Sequence, residues 1–306
     1  MAEDKGSQRF MSKKRSMSSK ELKNYFKKAQ KEKWAIGQFN ISNLETLRGI
    51  ILAAKNLKSP VIIGTSEGES KFLGLKQAAA LVRVFREETK LPIILNLDHG
   101  RSLDYIKKAI NAGYDAVHFD GSHLSLAKNI VLTKKVVKHA KKFGVFIEGE
   151  VGSIKGSSQI LKKIPETEEE DLTNPEEAQR FVKETGVDSL AINVGTFHGM
   201  KSRGKNPHVN QKRLKEIKEK VGDRVFLVLH GGSGTPEKDI KLAIKTGIVK
   251  ININTETRVA FTKSLKKALA RKPEEVVPYK YMPEVVKAIE KVIEEKIKLF
   301  TQAKRN

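Results

Sequence analysis

Eight short runs rich in β-branched and apolar residues recur along the chain, with an amphipathic segment between or after them, and this alternation leaves few folds open. The runs are "WAIGQF", "PVIIGT", "PIILNL", "DAVHF", "GVFIEGE", "DSLAINV", "VFLVL" and "IVKINI". Helical apolar spacing marks residues 43–56, 75–89, 103–112, 126–142, 175–185, 211–221 and 237–246. Strands that read as nearly continuous apolar runs belong in a parallel sheet covered by helices. The closed form of that pattern is the (β/α)8 barrel, an α/β fold that suits a chain of 306 residues. Helix punctuation agrees: "TNPEEA" opens a helix on Asn-Pro with glutamates in its first turn, and "AGYD", "FGVF", "TGVD" and "TGIV" end helices on glycine. Residues 1–18 read as a flexible basic arm and residues 19–306 as one barrel domain. A lysine-rich helix over 20–32 is expected to cap the barrel bottom, and 282–300 to form an extra terminal helix.

A barrel of this kind gathers its chemistry at the C-terminal ends of its strands. Those ends read "QFN", "GTSEG", "LDHG", "FDGSH", "EGEVG", "NVGTFHG", "LHGGSG" and "NINT", so polar residues and glycines occupy every rim position. The chain has no cysteine, which excludes disulfides and thiolate sites and leaves any metal to His, Asp or Glu. Of seven histidines, His99, His198 and His230 stand at strand ends, each followed by glycine. Three imidazoles from separate strands suit a catalytic zinc that keeps an open position. His118 reads as a strand residue, His139 and His208 as helix and loop residues, and His123 as a weaker rim candidate. The formal net charge of +23 could mark a nucleic-acid surface. Many lysines, however, fall at solvent-facing helix positions, which disfavours nucleic acid and leaves a field suited to polyanionic sugar phosphates. No apolar run is long enough for a bilayer, and no hydrophobic core follows the basic start, so a cytoplasmic protein with no membrane partner is expected.

In this order, "LDHG", "FDGSH", "GTFHGMK", "LHGGSG" and "KININTET" resemble the class II, metal-dependent fructose-bisphosphate aldolases, and the resemblance runs from "WAIGQFN" to the last helix. It implies a (β/α)8 barrel, a homodimer or homotetramer, and a place in glycolysis and gluconeogenesis. The implied reaction is reversible cleavage of fructose 1,6-bisphosphate to dihydroxyacetone phosphate and glyceraldehyde 3-phosphate. Zn2+, or another divalent metal, would stabilise the enediolate. Tagatose-bisphosphate aldolases share these motifs, and a different metal-dependent lyase or epimerase on the same barrel is the remaining enzyme reading. A non-catalytic binding protein would have no need of Asp98 and three metal histidines. A Schiff-base lysine, for which Lys250 is the candidate, is not required.

By the same resemblance Asp98 is the base that takes the C4 hydroxyl proton, and His99, His198 and His230 are the metal ligands, with Glu150 and Asp120 supporting the metal. Alternation along a strand would part Asp98 from His99, and Gly100 is expected to redirect the chain so that both reach the pocket. Asn252 would contact the triose, while Asn40 and Ser66 would reach the other end of the sugar phosphate. Gly199, Gly231, Gly232, Ser233, Asn254 and Thr255 offer close backbone approach to the dihydroxyacetone phosphate group, and Lys201 adds charge. A monovalent cation near these loops is also implied. Two departures stand out. The loop after "EGEVG" lacks a glutamate directly after Gly156 and carries Glu166, Glu168, Glu169, Glu170 and Asp171 later. Where relatives place an inter-subunit phosphate arginine this chain has Tyr279, with Lys280 or Arg258 as substitutes.

Overall fold

Along the barrel strands, neighbouring residues point to opposite faces, and the sequence uses the two faces differently. Phe39, Ile63, Leu95, Leu97, Val117 and Ile147 face the helices, in the main apolar layer. The residues between them on the inner face include Gln38, Asn96, His118 and Glu148, all buried. A computed structural model describes residues 17–163, 166–202 and 206–302. Within them the elements run α1 (Ser19–Glu32), β1 (Ile36–Asn40), α2 (Leu44–Asn56), β2 (Val61–Ser66), α3 (Glu67–Leu73), α4 (Leu75–Thr89), β3 (Ile93–Gly100), α5 (Leu103–Ala112), β4 (Ala116–Phe119) and α6 (Leu126–Lys142). They continue with β5 (Phe146–Val151), β6 (Gly156–Leu161), α7 (Pro175–Thr185), β7 (Ser189–Ile192), β8 (His198–Lys201), α8 (Gln211–Val221), β9 (Phe226–Leu229), α9 (Glu237–Thr246), β10 (Ile248–Ile253), α10 (Thr255–Arg271) and α11 (Pro278–Phe300).

Eight strands close a parallel barrel in the order β1-β10-β9-β7-β5-β4-β3-β2. The eight runs read from the sequence are these eight strands. Three elements went unread. The segments "GSSQIL" and "HGMK", taken as loops, are β6 and β8, which form a separate two-stranded parallel sheet with Gly156 opposite His198. The third is α3, a short helix opened by a capping box between Ser66 and Glu69. Most of the proposed arm, residues 1–16, lies outside the described residues.

The bottom of the barrel is closed by α1, as its apolar stripe implied. Leu22, Phe26 and Ala29 pack with Trp34, Ile62, Ile94, Phe146 and Phe226 in a second buried cluster. The Phe26 ring lies 5.3 Å from that of Phe146 and 5.4 Å from that of Phe226. With the lower end plugged by hydrocarbon, the polar inner residues above it open only toward the rim. On the outside, α11 packs against α2, with Ile289 over Gly49. A Cβ on Gly49 would lie 2.7 Å from the Ile289 Cγ2, so glycine sets that close helix approach.

Candidate active site

The turn that brings Asp98 and His99 to one side is made by His99 itself. Its φ is +52°, a left-handed conformation uncommon outside glycine. Gly100, expected to redirect the chain, serves packing instead: a Cβ there would meet Ile106, Leu97 and the His118 carbonyl at 2.9–3.1 Å. The His99 N–H donates to His118 Nδ1 at 3.2 Å, which holds the turn from the neighbouring strand. The other two histidine-glycine pairs do use a left-handed glycine, with φ of +131° at Gly199 and +67° at Gly231.

Asp98 is buried between two amides. Asn40 Nδ2 donates to one carboxylate oxygen at 2.8 Å and Asn252 Nδ2 to the other at 3.2 Å. Burial opposes its charge, but His99, His118, His230 and Lys250 outweigh that and hold its pKa well below the usual carboxylate value.

The imidazoles are oriented by carboxylates behind them. His99 Nδ1 is 3.0 Å from Asp120 Oδ2, and Ser122 donates to the other Asp120 oxygen. His230 Nε2 is 2.8 Å from Glu148 Oε1, whose second oxygen takes Lys250 Nζ at 2.7 Å. Each ring therefore gives its N–H to a carboxylate, which fixes the tautomer. The two remaining nitrogens, His99 Nε2 and His230 Nδ1, face each other at 3.1 Å. Two lone pairs at that distance repel unless a proton or a cation lies between them. Burial opposes a charge on His99, yet Asp98 and Asp120 hold its pKa above the ordinary value, so a proton competes for the place a metal would take. His198 stands beside the group from β8, its ring 4.8 Å from that of His99 and 5.9 Å from that of His230. The ligand atoms that lie within 4.8 Å of one another are those of Asp98, His99, His118 and His230 and, in a second set, of His99, Asp120 and Glu150. Burial, with His99 and His230 nearby, pushes the His198 pKa well down, and its Nε2 is buried without a hydrogen-bond partner. Glu150 Oε2 lies 3.2 Å from His118 Nε2 and 3.7 Å from His99 Nδ1. Converging lone pairs and the unpartnered His198 Nε2, with no thiolate in the chain, fit a borderline divalent cation such as zinc.

Sequence reasoning missed three groups here, His118, Glu148 and Glu69, and the ion pair of a fourth, Lys250. His118, read as an ordinary strand residue, is fully buried in the cluster, its ring 4.6 Å from that of His99. Its Nε2 lies 3.2 Å from Glu150 Oε2. The available signal was alternation: His118 shares the inward face with Asp120, and Glu148 with Glu150. Lys250 is paired with Glu148 in the barrel interior. Glu69, announced only by the spacing Ser-x-x-Glu, accepts hydrogen bonds from four groups described below.

The site opens into a cleft of about 270 Å³. Asn40, Ser66, Asp98, His99, Asp120, His198, Gly199, Gly231, Ser233, Asn252, Asn254 and Thr255 line it, with Arg101 and Arg258 as its cationic side chains. Ser233 Oγ is 3.3 Å from the Asn254 N, at the start of α10. Glu150 and His230 lie deeper. Lys201 and Gly232 are not among the lining residues: Lys201 is exposed at the end of β8, and Gly232 backs onto Ile251. The loop acids also stand away from the cleft. Asp171 pairs with Lys155 at 2.6 Å, and Glu169 pairs with Arg213. Tyr279 is 77% exposed beside α2, and Lys280 pairs with Glu275, so neither lines the cleft. His123 is exposed.

Comparison with known proteins bears on this geometry. The family model described as fructose-bisphosphate aldolase class-II matches residues 20–305. A Bacillus subtilis (strain 168) protein described as "Probable fructose-bisphosphate aldolase" is 38% identical over 275 residues, covering 89% of this chain and 94% of the relative. The crystal structure of the YdjI aldolase from Escherichia coli K12 matches with a TM-score of 0.79 at 31% identity, covering 95% of this chain and 99% of that one. Fructose-bisphosphate aldolase from Campylobacter jejuni shares the fold, with a TM-score of 0.79 at 23% identity over 95% of this chain and 97% of its own.

Proposed function

The chain belongs to the class-II fructose-bisphosphate aldolase family, and on that premise we propose that it reversibly cleaves fructose 1,6-bisphosphate to dihydroxyacetone phosphate and glyceraldehyde 3-phosphate. The observation that carries the reading is the meeting of His99 Nε2 and His230 Nδ1 at 3.1 Å beside Asp98. Family membership implies a metal, and His99, His230 and His198 are the residues proposed to hold it, with Glu150 in reserve. A divalent ion bound there would supply Lewis-acid stabilisation of the negative charge that develops beside the ketone.

The chain's own residues supply the proton chemistry. Asp98, kept ionised by its histidine neighbours and fixed by Asn40 and Asn252, accepts the proton of the C4 hydroxyl as the C3–C4 bond breaks. The bonding electrons pass to C3, which then takes a proton from solvent to give dihydroxyacetone phosphate; in the reverse direction C3 gives up that proton and Asp98 returns its own to the aldehyde oxygen. Asn252 Oδ1 is buried without a partner, which leaves it as an acceptor for a substrate hydroxyl. Gly231, Ser233 and Thr255 line the side where backbone N–H groups are available to a phosphate. Lys250 is committed to Glu148 and takes no covalent part.

The test is cleavage of fructose 1,6-bisphosphate and of tagatose 1,6-bisphosphate by the purified protein, before and after chelation, with zinc then added back. Chelator-sensitive cleavage of the fructose ester, restored by zinc, is the expected result. Full activity after exhaustive metal removal would refute the metal assignment, and preferred cleavage of the tagatose ester would replace the substrate.

A further inference from the structure

Glu69 is a buried carboxylate at the edge of the cleft, and it binds far more than its own helix. As the third residue of α3 it accepts the Ser66 N–H at 2.8 Å, the bond of a capping box. A cap would need nothing else. Yet the same carboxylate takes Asn40 Nδ2 from β1 at 2.9 Å, Asn254 Nδ2 from the start of α10 at 3.3 Å, and Arg258 Nη2 at 2.5 Å. Four of its partners, Asn40, Ser66, Asn254 and Arg258, line the cleft.

The electrostatic consequence concerns Arg258. It is one of two cationic side chains lining the cleft, and Lys201 and Lys280 of this chain do not reach it. Its guanidinium gives one nitrogen to Glu69 and the other to the Ser158 carbonyl of β6 at 3.1 Å. A phosphate approaching Arg258 therefore meets a charge already neutralised, and a carboxylate that repels it. Repulsion built beside an attractive group is a common way to set specificity.

We propose that Glu69 determines specificity by holding Arg258 in an internal ion pair, so that the cleft gains little from a second phosphate and binds a ketose 1-phosphate about as well as the 1,6-bisphosphate. This rests on the aldolase reading and adds the residue that tunes its substrate range. Glutamine serves in a capping box as glutamate does, so Glu69→Gln keeps the start of α3 while freeing Arg258.

The experiment is calorimetric titration of fructose 1,6-bisphosphate and of fructose 1-phosphate into zinc-loaded protein, in an Asp98→Ala background that slows turnover by about 10²–10⁴-fold. With Glu69 present, the two dissociation constants should agree within about tenfold. In Glu69→Gln the ratio should shift about tenfold toward the bisphosphate, the gain of one charge-assisted phosphate contact, and adding Arg258→Ala should abolish that shift. A loss of stability alone would weaken both ligands and leave the ratio where it was. An unchanged ratio, a shift toward the monophosphate, or no binding of either sugar overturns the proposal. Cleavage by the protein with Asp98 intact is read separately: its absence refutes the aldolase reading, while the binding ratio still decides the role of Glu69.

Discussion

Replacing Glu148 by glutamine tests the idea that a residue out of reach of substrate decides which nitrogen of His230 is available. Glu148 Oε1 takes His230 Nε2 at 2.8 Å, and Oε2 takes Lys250 Nζ at 2.7 Å and Ser189 Oγ at 3.3 Å. Burial opposes its charge, but Lys250 and then His230 outweigh it and hold the carboxyl well below its usual range. A glutamine here turns its carbonyl to Lys250, because an ammonium offers only donors, and so presents its NH2 to His230. His230 must then accept at Nε2 and carry its proton on Nδ1, the nitrogen that faces His99 at 3.1 Å. Loss of an oxygen partner behind a metal-ligating histidine costs about 10–100-fold in metal affinity, or about 1.4–2.7 kcal/mol. Lys250, 2% exposed, also loses its counter-charge. Breaking a buried pair costs about 3–5 kcal/mol, and the retained hydrogen bond places Glu148→Gln near the lower figure. Zinc affinity is read by competition with a chromophoric chelator, and stability by urea unfolding of the metal-free protein. A variant that binds zinc within about twofold of the parent would refute the tautomer argument, whatever its stability.

Asp98→Ala should retain its metal while kcat falls by about 10²–10⁴, the usual contribution of a positioned base; zinc content and initial rates measured on one preparation check this. Phe26→Ala removes the ring between Phe146 and Phe226 and should cost about 3–5 kcal/mol in urea unfolding, with kcat of the folded fraction unchanged. Acid should destabilise the metal-free protein through its inner carboxylates. Asp120, despite burial, is depressed by His99, and Glu148, despite burial, by Lys250 and His230. A depressed group contributes fully above its unfolded pKa, 3.8 for Asp and 4.5 for Glu, and that contribution is lost as pH falls below it. The urea midpoint of the chelated protein should therefore drop between about pH 5 and pH 3, and a flat midpoint would contradict it.

The barrel was legible because its evidence is local. Each strand carries its own apolar run, each helix its own stripe and cap, and the αβ glycines mark the turns between them. Asp98, His99 and His230 could be picked out for the same reason, since a polar residue at the end of an apolar run is visible without knowing any neighbour, whereas His198 opens β8, six residues past the end of β7. The short parallel pair β6 and β8 was not, because neither segment has an apolar face of its own and each is a strand only through the other. Likewise α3 shows only a cap and two turns.

Sequence by itself determined which side of each strand looks inward and which ends reach the rim, because alternation and punctuation are properties of consecutive residues. Tertiary structure alone decided which inward groups meet. Closure sets β1 beside β10 and brings Glu148 to Lys250 across 102 residues and Glu69 to Arg258 across 189. Those partners fix the tautomer of His230 and the free charge of Arg258, and no local pattern records them, since a hydrogen bond depends on distance in space and not on separation along the chain.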